Sequence, residues 1–211
     1  SLTAVLTVVL GKLKDKVERV GRRILEKGLI RVMPRNPNVL TISSIIITLP
    51  TPYLMWLHHY WAYVLAFILL LIASAFDMLD GLVARYWGRA SKLGAFLDST
   101  LDRYVDFIAL VDLWIVSDRG FLSIVLLLLA VLGSLMTSYT RARAEALGMK
   151  MMGVGLLERE ERLILILLIL LIFIATGIGV VILYGLLLLA LLTNITAIER
   201  IVTVVRSLGS S

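Results

Sequence analysis

Six stretches of the chain are apolar almost throughout, and the polar residues gather between them: Val39–His58, Tyr60–Leu79, Ala95–Val116, Phe121–Thr140, Leu163–Thr176 and Val180–Ala197. A helix needs about 20 residues to cross a hydrocarbon layer about 30 Å thick, so each stretch predicts a membrane-spanning helix. The expected fold class is an all-α integral membrane protein with six transmembrane helices. A different pattern precedes them. Leu6, Leu10, Leu13, Val17, Val20 and Ile24 recur at alternating four- and three-residue steps on an otherwise basic segment. One apolar stripe on a basic helix predicts an amphipathic helix lying in the membrane interface, or the same stripe packed on a partner subunit.

This pattern divides the chain into a basic juxtamembrane arm over 1–35, a membrane domain over 36–206 and a tail over 207–211 that, with Ser1 in place of Met, reads as an addition. Pro34-Arg35-Asn36-Pro37 marks the boundary, since two prolines end one helix and start another. No basic segment precedes the first apolar residues, so a cleavable signal peptide is not expected. Pro50 and Pro52 should kink or shorten the first span.

Composition changes this picture little. Hydrophobic residues make up 60% of the 211, far above a soluble domain. The formal net charge is +6, and the first 35 residues supply all of it, with nine Lys and Arg against three Asp and Glu. Because the positive charge sits on a membrane-proximal arm, anionic lipid headgroups are the expected partner and nucleic acid is not. Cys is absent, which excludes disulfides and thiol catalysis.

The basic residues between the spans alternate. Arg85, Arg89 and Lys92 lie after the second span, and Arg141, Arg143, Lys150, Arg159 and Arg162 after the fourth. The connections at His58-His59, Ser117–Gly120 and Thr176–Gly179 carry only Arg119 beside Asp118. The positive-inside rule therefore predicts a cell-membrane protein with both termini and the second and fourth connections in the cytoplasm. His58 and His59, beside Trp56, Tyr60 and Trp61, read as part of an aromatic belt at the other face.

The chemistry is concentrated at the cytoplasmic edge of the second and third spans, in Asp77-x2-Asp80-Gly81-x2-Ala84-Arg85-x8-Gly94-x3-Asp98-x3-Asp102. Asp77 and Asp80 share one helical face, and so do Asp98 and Asp102. Carboxylates are costly near lipid and are kept there for a purpose. Four of them together would repel unless cations sat between, and hard oxygen ligands favour two Mg2+ or Mn2+ ions, a common arrangement in phosphoryl transfer. Gly81 and Gly94 leave room for a ligand to approach the backbone, and Arg85 can grip a phosphate with two parallel hydrogen bonds. The alternative is that the aspartates cap helix ends or pair with Arg85, Arg89 and Arg103.

At every fixed position this pattern resembles the signature of the CDP-alcohol phosphotransferase family. The resemblance implies metal ligation by Asp77, Asp80, Asp98 and Asp102, with Asp102 as the base for the acceptor hydroxyl. It places CDP against Asp80, Gly81, Ala84, Arg85 and Gly94. Pro37-Asn38-Val39-Leu40-Thr41 is similar to the family's P-N-x-L-T element, which adds Asn38 and Thr41 to the nucleotide pocket; an ordinary helix cap and a back-bonded threonine are the alternative. Ser138-Tyr139-Thr140-Arg141-Ala142-Arg143-Ala144-Glu145 looks like the stretch found in members whose acceptor is inositol phosphate. This implies an acceptor-phosphate site at Ser138, Arg141 and Arg143, joined by Arg200; a positive-inside anchor is the rival reading. Asp106 could support Asp102 or pair with Arg103, and Asp112 has no assigned role.

The function expected is phospholipid biosynthesis, with a phosphatidyl-type group passing from CDP-diacylglycerol or CDP-archaeol to the hydroxyl of myo-inositol 1-phosphate. Glycerol 3-phosphate, serine or another small alcohol are alternative acceptors. A divalent-cation transporter would use the same acids but needs them to continue to the far face, and it leaves Gly81, Ala84, Arg85 and Gly94 unexplained. Family resemblance further implies a homodimer.

Overall fold

The structure is a computed structural model describing residues 33–149, 151 and 154–209. The interfacial helix expected within residues 1–35 thus lies outside the described residues as far as residue 32, and so does the end of the tail. Among the described residues the secondary structure is helical, with no strand: α1 (Pro37–Thr48), α2 (Thr51–Trp56), α3 (Tyr60–Tyr86), α4 (Lys92–Ile115), α5 (Phe121–Ala146), α6 (Arg159–Thr176) and α7 (Val180–Gly209).

Local chemistry explains where these elements begin. Pro37 opens α1 behind Asn36, whose side chain accepts from the Asn38 amide at 3.1 Å. Ser91 caps α4 by accepting from Gly94 N at 3.0 Å. Glu158 and Glu161 form a reciprocal capping box at the start of α6. Leu49 and Pro50 separate α1 from α2, so the first span is broken where its prolines stand.

Among the described residues four rods are long and apolar enough to cross a membrane: α1 with α2, α3, α5 and α7. Six were expected, and charge accounts for the difference. Helix α4 carries Lys92, Asp98, Asp102, Arg103, Asp106 and Asp112 along its length, and α6 spends its first turn on Arg159-Glu160-Glu161-Arg162. Three rods also outrun their apolar stretches. The 27 residues of α3 extend about 40 Å, against a hydrocarbon layer of about 30 Å. The surplus is the segment after Leu79, so the Asp-Gly and Ala-Arg positions ride on a helix end beyond the apolar run.

Helix α1 packs against α3 and α4, α5 pairs with α7, and α6 touches α3, α4 and α7. Small residues bring these rods together, as packing between helices in lipid requires. Ala62, Ala66 and Ala73 lie on the buried face of α3, while Leu65, Ile68, Leu71 and Ile72 point outward. A Cβ on Gly133 of α5 would lie 2.3 Å from Thr193 Oγ1 and 2.8 Å from the Asn194 backbone nitrogen of α7. At this crossing Thr137 Oγ1 donates to the Thr193 carbonyl at 3.1 Å, and Asn194 Nδ2 donates across to the Leu129 carbonyl at 2.8 Å.

The two kinds of glycine should respond differently to a methyl group. Gly133→Ala must push α5 from α7, because part of the obstacle is backbone, and a thermal melt in detergent should register a loss of about 1–3 kcal/mol. A Cβ on Gly81 meets nothing within 4 Å. Gly81→Ala should therefore melt as the native protein does, whatever it does to activity.

Candidate active site

Asp77 and Asp80 come from the end of α3, and Asp98 and Asp102 from the first half of α4. The structure gathers three of them. Asp77, Asp98 and Asp102 each offer an oxygen, and these oxygens lie within 4.8 Å of one another. Asp80 is not one of these three; its Oδ2 accepts from the buried Thr41 Oγ1 at 2.5 Å. That bond ties the start of α1 to α3 and places Thr41 beside the acids. Asn38 is close as well: its Oδ1 would be 2.9 Å from a Cβ on Gly94, so only glycine lets it sit against the first turn of α4. Open space over Gly81 and exposed Arg85 complete this side of the site.

Charge at the cluster is balanced by residues that the motif does not contain. Arg159, the first residue of α6, donates from Nη1 to Asp77 Oδ2 at 2.8 Å. Its Nη2 lies 2.9 Å from Asp102 Oδ1, and its Nε 3.6 Å from Asp106 Oδ1. One turn further, the buried Arg162 donates to Asp106 Oδ2. Arg159 and Arg162 share a face of α6 as i,i+3 neighbours, and Asp102 and Asp106 share a face of α4 as i,i+4 neighbours, so the helices meet as two charged rungs. Asp106 thus pairs with α6 and not with Arg103, which instead lies 3.4 Å from Asp102. In the sequence Arg159 and Arg162 stand out only through the positive-inside pattern. The Glu158-x2-Glu161 capping box is a local signal that a helix starts at Arg159 and so puts the two arginines three apart on one face.

The loop before α6 is seated by α7. Leu157 N donates to Thr196 Oγ1 at 3.0 Å, and Gly155, at φ 117, packs so closely that a Cβ would fall 2.4 Å from Thr196 Cγ2. Buried Arg200 bridges this loop to α5, donating from Nε to the Val154 carbonyl at 2.8 Å and from Nη1 to the Thr137 carbonyl at 2.7 Å. Those acceptors are neutral, so they fix the guanidinium in place without cancelling its charge. Of the remaining residues assigned to an acceptor phosphate, Ser138 follows Thr137 on α5 and donates to the Ser134 carbonyl at 3.2 Å. Arg141 pairs with Glu145 at 2.9 Å, and Arg143 is exposed. At the other end of α4, Asp112 is a structural partner: Thr51 Oγ1 donates to its Oδ2 at 2.5 Å, pinning the broken first span.

An all-oxygen set of three carboxylates suits a hard divalent cation such as Mg2+ or Mn2+, and the seating of a guanidinium among them confirms that the pocket accommodates positive charge. Stability should separate the carboxylates that hold α6 from the one that does not. Removing one partner of a buried ion pair leaves the other uncompensated, so Asp106→Asn should cost about 3–5 kcal/mol in a detergent melt. Asp98, with no salt bridge among the described residues, should tolerate Asp98→Asn with no loss in the melt in metal-free buffer.

Residues 35–205 match the family described as CDP-alcohol phosphatidyltransferase. Archaetidylinositol phosphate synthase of Pyrococcus horikoshii is 36% identical over 154 residues, which cover 73% of this chain and 76% of that one. Among solved structures, the phosphatidylinositol phosphate synthase of Mycobacterium tuberculosis with CDP-DAG bound is similar at a TM-score of 0.65 and 28% identity, covering 89% of this chain and 92% of that chain. The same protein in complex with manganese and citrate matches at a TM-score of 0.65 and 29% identity, over 88% of this chain and 87% of that one.

Proposed function

The chain belongs to the CDP-alcohol phosphatidyltransferase family, and from that footing we propose that it transfers a phosphatidyl-type group from a CDP-lipid to the hydroxyl of myo-inositol 1-phosphate, releasing CMP. The observation that carries this reading is the convergence of Asp77, Asp98 and Asp102 at helix ends beside Thr41, Asn38 and Gly94. CDP-diacylglycerol or CDP-archaeol would leave its tails in lipid while its head reaches these residues. When bound, two Mg2+ or Mn2+ ions held by Asp77, Asp80, Asp98 and Asp102 would neutralise the diphosphate and the charge left on departing CMP.

The chain's own groups supply the rest. Arg85 reaches phosphate oxygens from the last turn of α3, Ala84 and Gly81 keep the nucleotide side open, and Gly94 lets Asn38 sit against α4. Asp102, itself a member of the cluster on α4, takes the proton of the acceptor hydroxyl. Holding both substrates at one membrane edge turns an encounter of two molecules into a reaction between positioned groups. Arg200, fixed by two carbonyls, would bind a phosphate on the acceptor together with Ser138, Arg141 and Arg143. Several guanidinium groups beyond Arg85 exceed what the donor needs, and a phosphate on the acceptor would match them.

Six membrane crossings, an interfacial N-terminal helix, a cytoplasmic active site in the cell membrane and a homodimeric assembly belong to the same proposal. Two measurements test it. CMP release should require a divalent metal and fall by about a hundredfold or more in Asp77→Asn, Asp80→Asn or Asp98→Asn. Inositol 1-phosphate should outperform free inositol, serine and glycerol 3-phosphate, and Arg143→Ala should raise its apparent KM by about tenfold with little change in CDP-lipid binding. Equal turnover of free inositol would remove the phosphate site and leave the phosphotransferase reading standing.

Topology can be read independently, because the chain has no cysteine of its own. A single cysteine in Arg89→Cys should be shielded from an impermeant reagent in intact cells, and one in Asp118→Cys should react. The reverse pattern would put the chemistry outside.

A further inference from the structure

The guanidinium of Arg159 occupies the place where the carboxylates converge. Its Nη1 and Nη2 lie 2.8 Å from Asp77 and 2.9 Å from Asp102, on two different helices, and its Nε approaches Asp106. Asp77 and Asp102 are also two of the three residues whose oxygens meet within 4.8 Å. Asp77 and Asp102 therefore face two claimants, a side-chain cation and a divalent ion. Both are positive, so a guanidinium lodged between the two acids repels an ion entering among them and competes for their charge.

The fit of Arg159 is good in charge and incomplete in hydrogen bonding. Only Nη1 makes an aligned hydrogen bond, to Asp77; Nε and Nη2 are buried without an aligned partner, although Nη2 is at ion-pair distance from Asp102. A buried donor without a partner costs stability, so this seat holds Arg159 less firmly than its charge suggests. Position adds to this. Arg159 is the first residue of α6, directly after a loop, whereas Arg162 lies a turn inside the helix and is paired with Asp106, a carboxylate outside the three-residue cluster. Arg162 can keep α6 docked on α4 while Arg159 leaves.

We propose that Arg159 is a resident counter-cation, lodged between Asp77 and Asp102 in the metal-free protein and displaced by the first divalent ion to bind. Arg159 keeps the acids apart and in register when no metal is present, which spares a membrane-edge site from bare carboxylate repulsion. The same contact weakens metal binding, because each ion must first break it. This inference rests on the metal reading of the cluster made above.

The test is Mn2+ binding to the detergent-solubilised full chain, measured by calorimetry and by the electron paramagnetic resonance of free Mn2+, with no substrate present. In Arg159→Gln the competitor is gone, and Mn2+ should bind about tenfold tighter than to the native protein, the scale of one charge-assisted contact. Arg159→Lys retains the positive charge but has no planar fork to span both helices, so it should also bind Mn2+ more tightly than native, by a smaller factor. Both variants should melt below the native protein in metal-free buffer and approach it at saturating Mn2+. If Arg159→Gln binds Mn2+ no more tightly than native, Arg159 is not a competitor. If Arg159→Lys matches native while Arg159→Gln tightens, general charge repulsion explains the effect and lodging between the two acids is wrong. If neither native protein nor variants bind Mn2+, the metal reading itself falls, and this inference with it.

Discussion

Carboxylates brought together at the edge of an apolar layer repel unless positive partners stand among them, and this requirement organises the centre of the molecule. Asp77, Asp102 and Asp106 are met by Arg159 and Arg162, which stand one helical turn apart on α6. Taking charges out of water costs several kcal/mol each, and the attraction between them repays that only when the geometry is held from both sides. The surrounding structure provides the hold. A capping box starts α6 at the right residue, Thr196 seats the preceding loop, and Thr41 anchors α3 to α1. Each of these contacts is modest alone, and together they bring three helix ends to one point.

Helix length then decides where that point lies. An apolar run sets how much of a rod can sit in hydrocarbon, but nothing ends a helix where apolarity ends. Helices α3 and α5 run past their apolar stretches to Tyr86 and Ala146, carrying Asp80, Gly81, Ala84, Arg85 and the Arg141–Arg143 segment beyond them. These polar groups are thus mounted on rigid continuations of apolar helices instead of on loops.

The sequence made much of this readable, and the physical reason differs from element to element. Long apolar rods such as α3, α5 and α7 announce themselves because lipid enforces apolarity on every exposed position. Helices α4 and α6 are harder to classify, because their buried faces carry charges that hydropathy counts as evidence against a span while their partners cancel them in space. The aspartate signature was readable because its spacing is local, with the two acids on each of two helices three or four positions apart. The Arg159–Asp77 pair was not, since it joins positions 82 apart and neither residue's neighbours mention the other. Asp80 shows a related limit: periodicity put it on the face of Asp77, but its carboxylate is held by a hydroxyl on α1, 39 positions away.

These arrangements amount to one claim, that a cation-binding pocket built from Asp77, Asp98 and Asp102 is the centre of the chemistry and that an arginine stands in it until metal arrives. Diffraction from crystals soaked in Mn2+, collected where manganese scatters anomalously, addresses it most directly. The account predicts an anomalous peak among those three carboxylates with the Arg159 guanidinium moved off Asp77 and Asp102. Arg159 still bridging the two acids, with no peak beside them at saturating Mn2+, would contradict it.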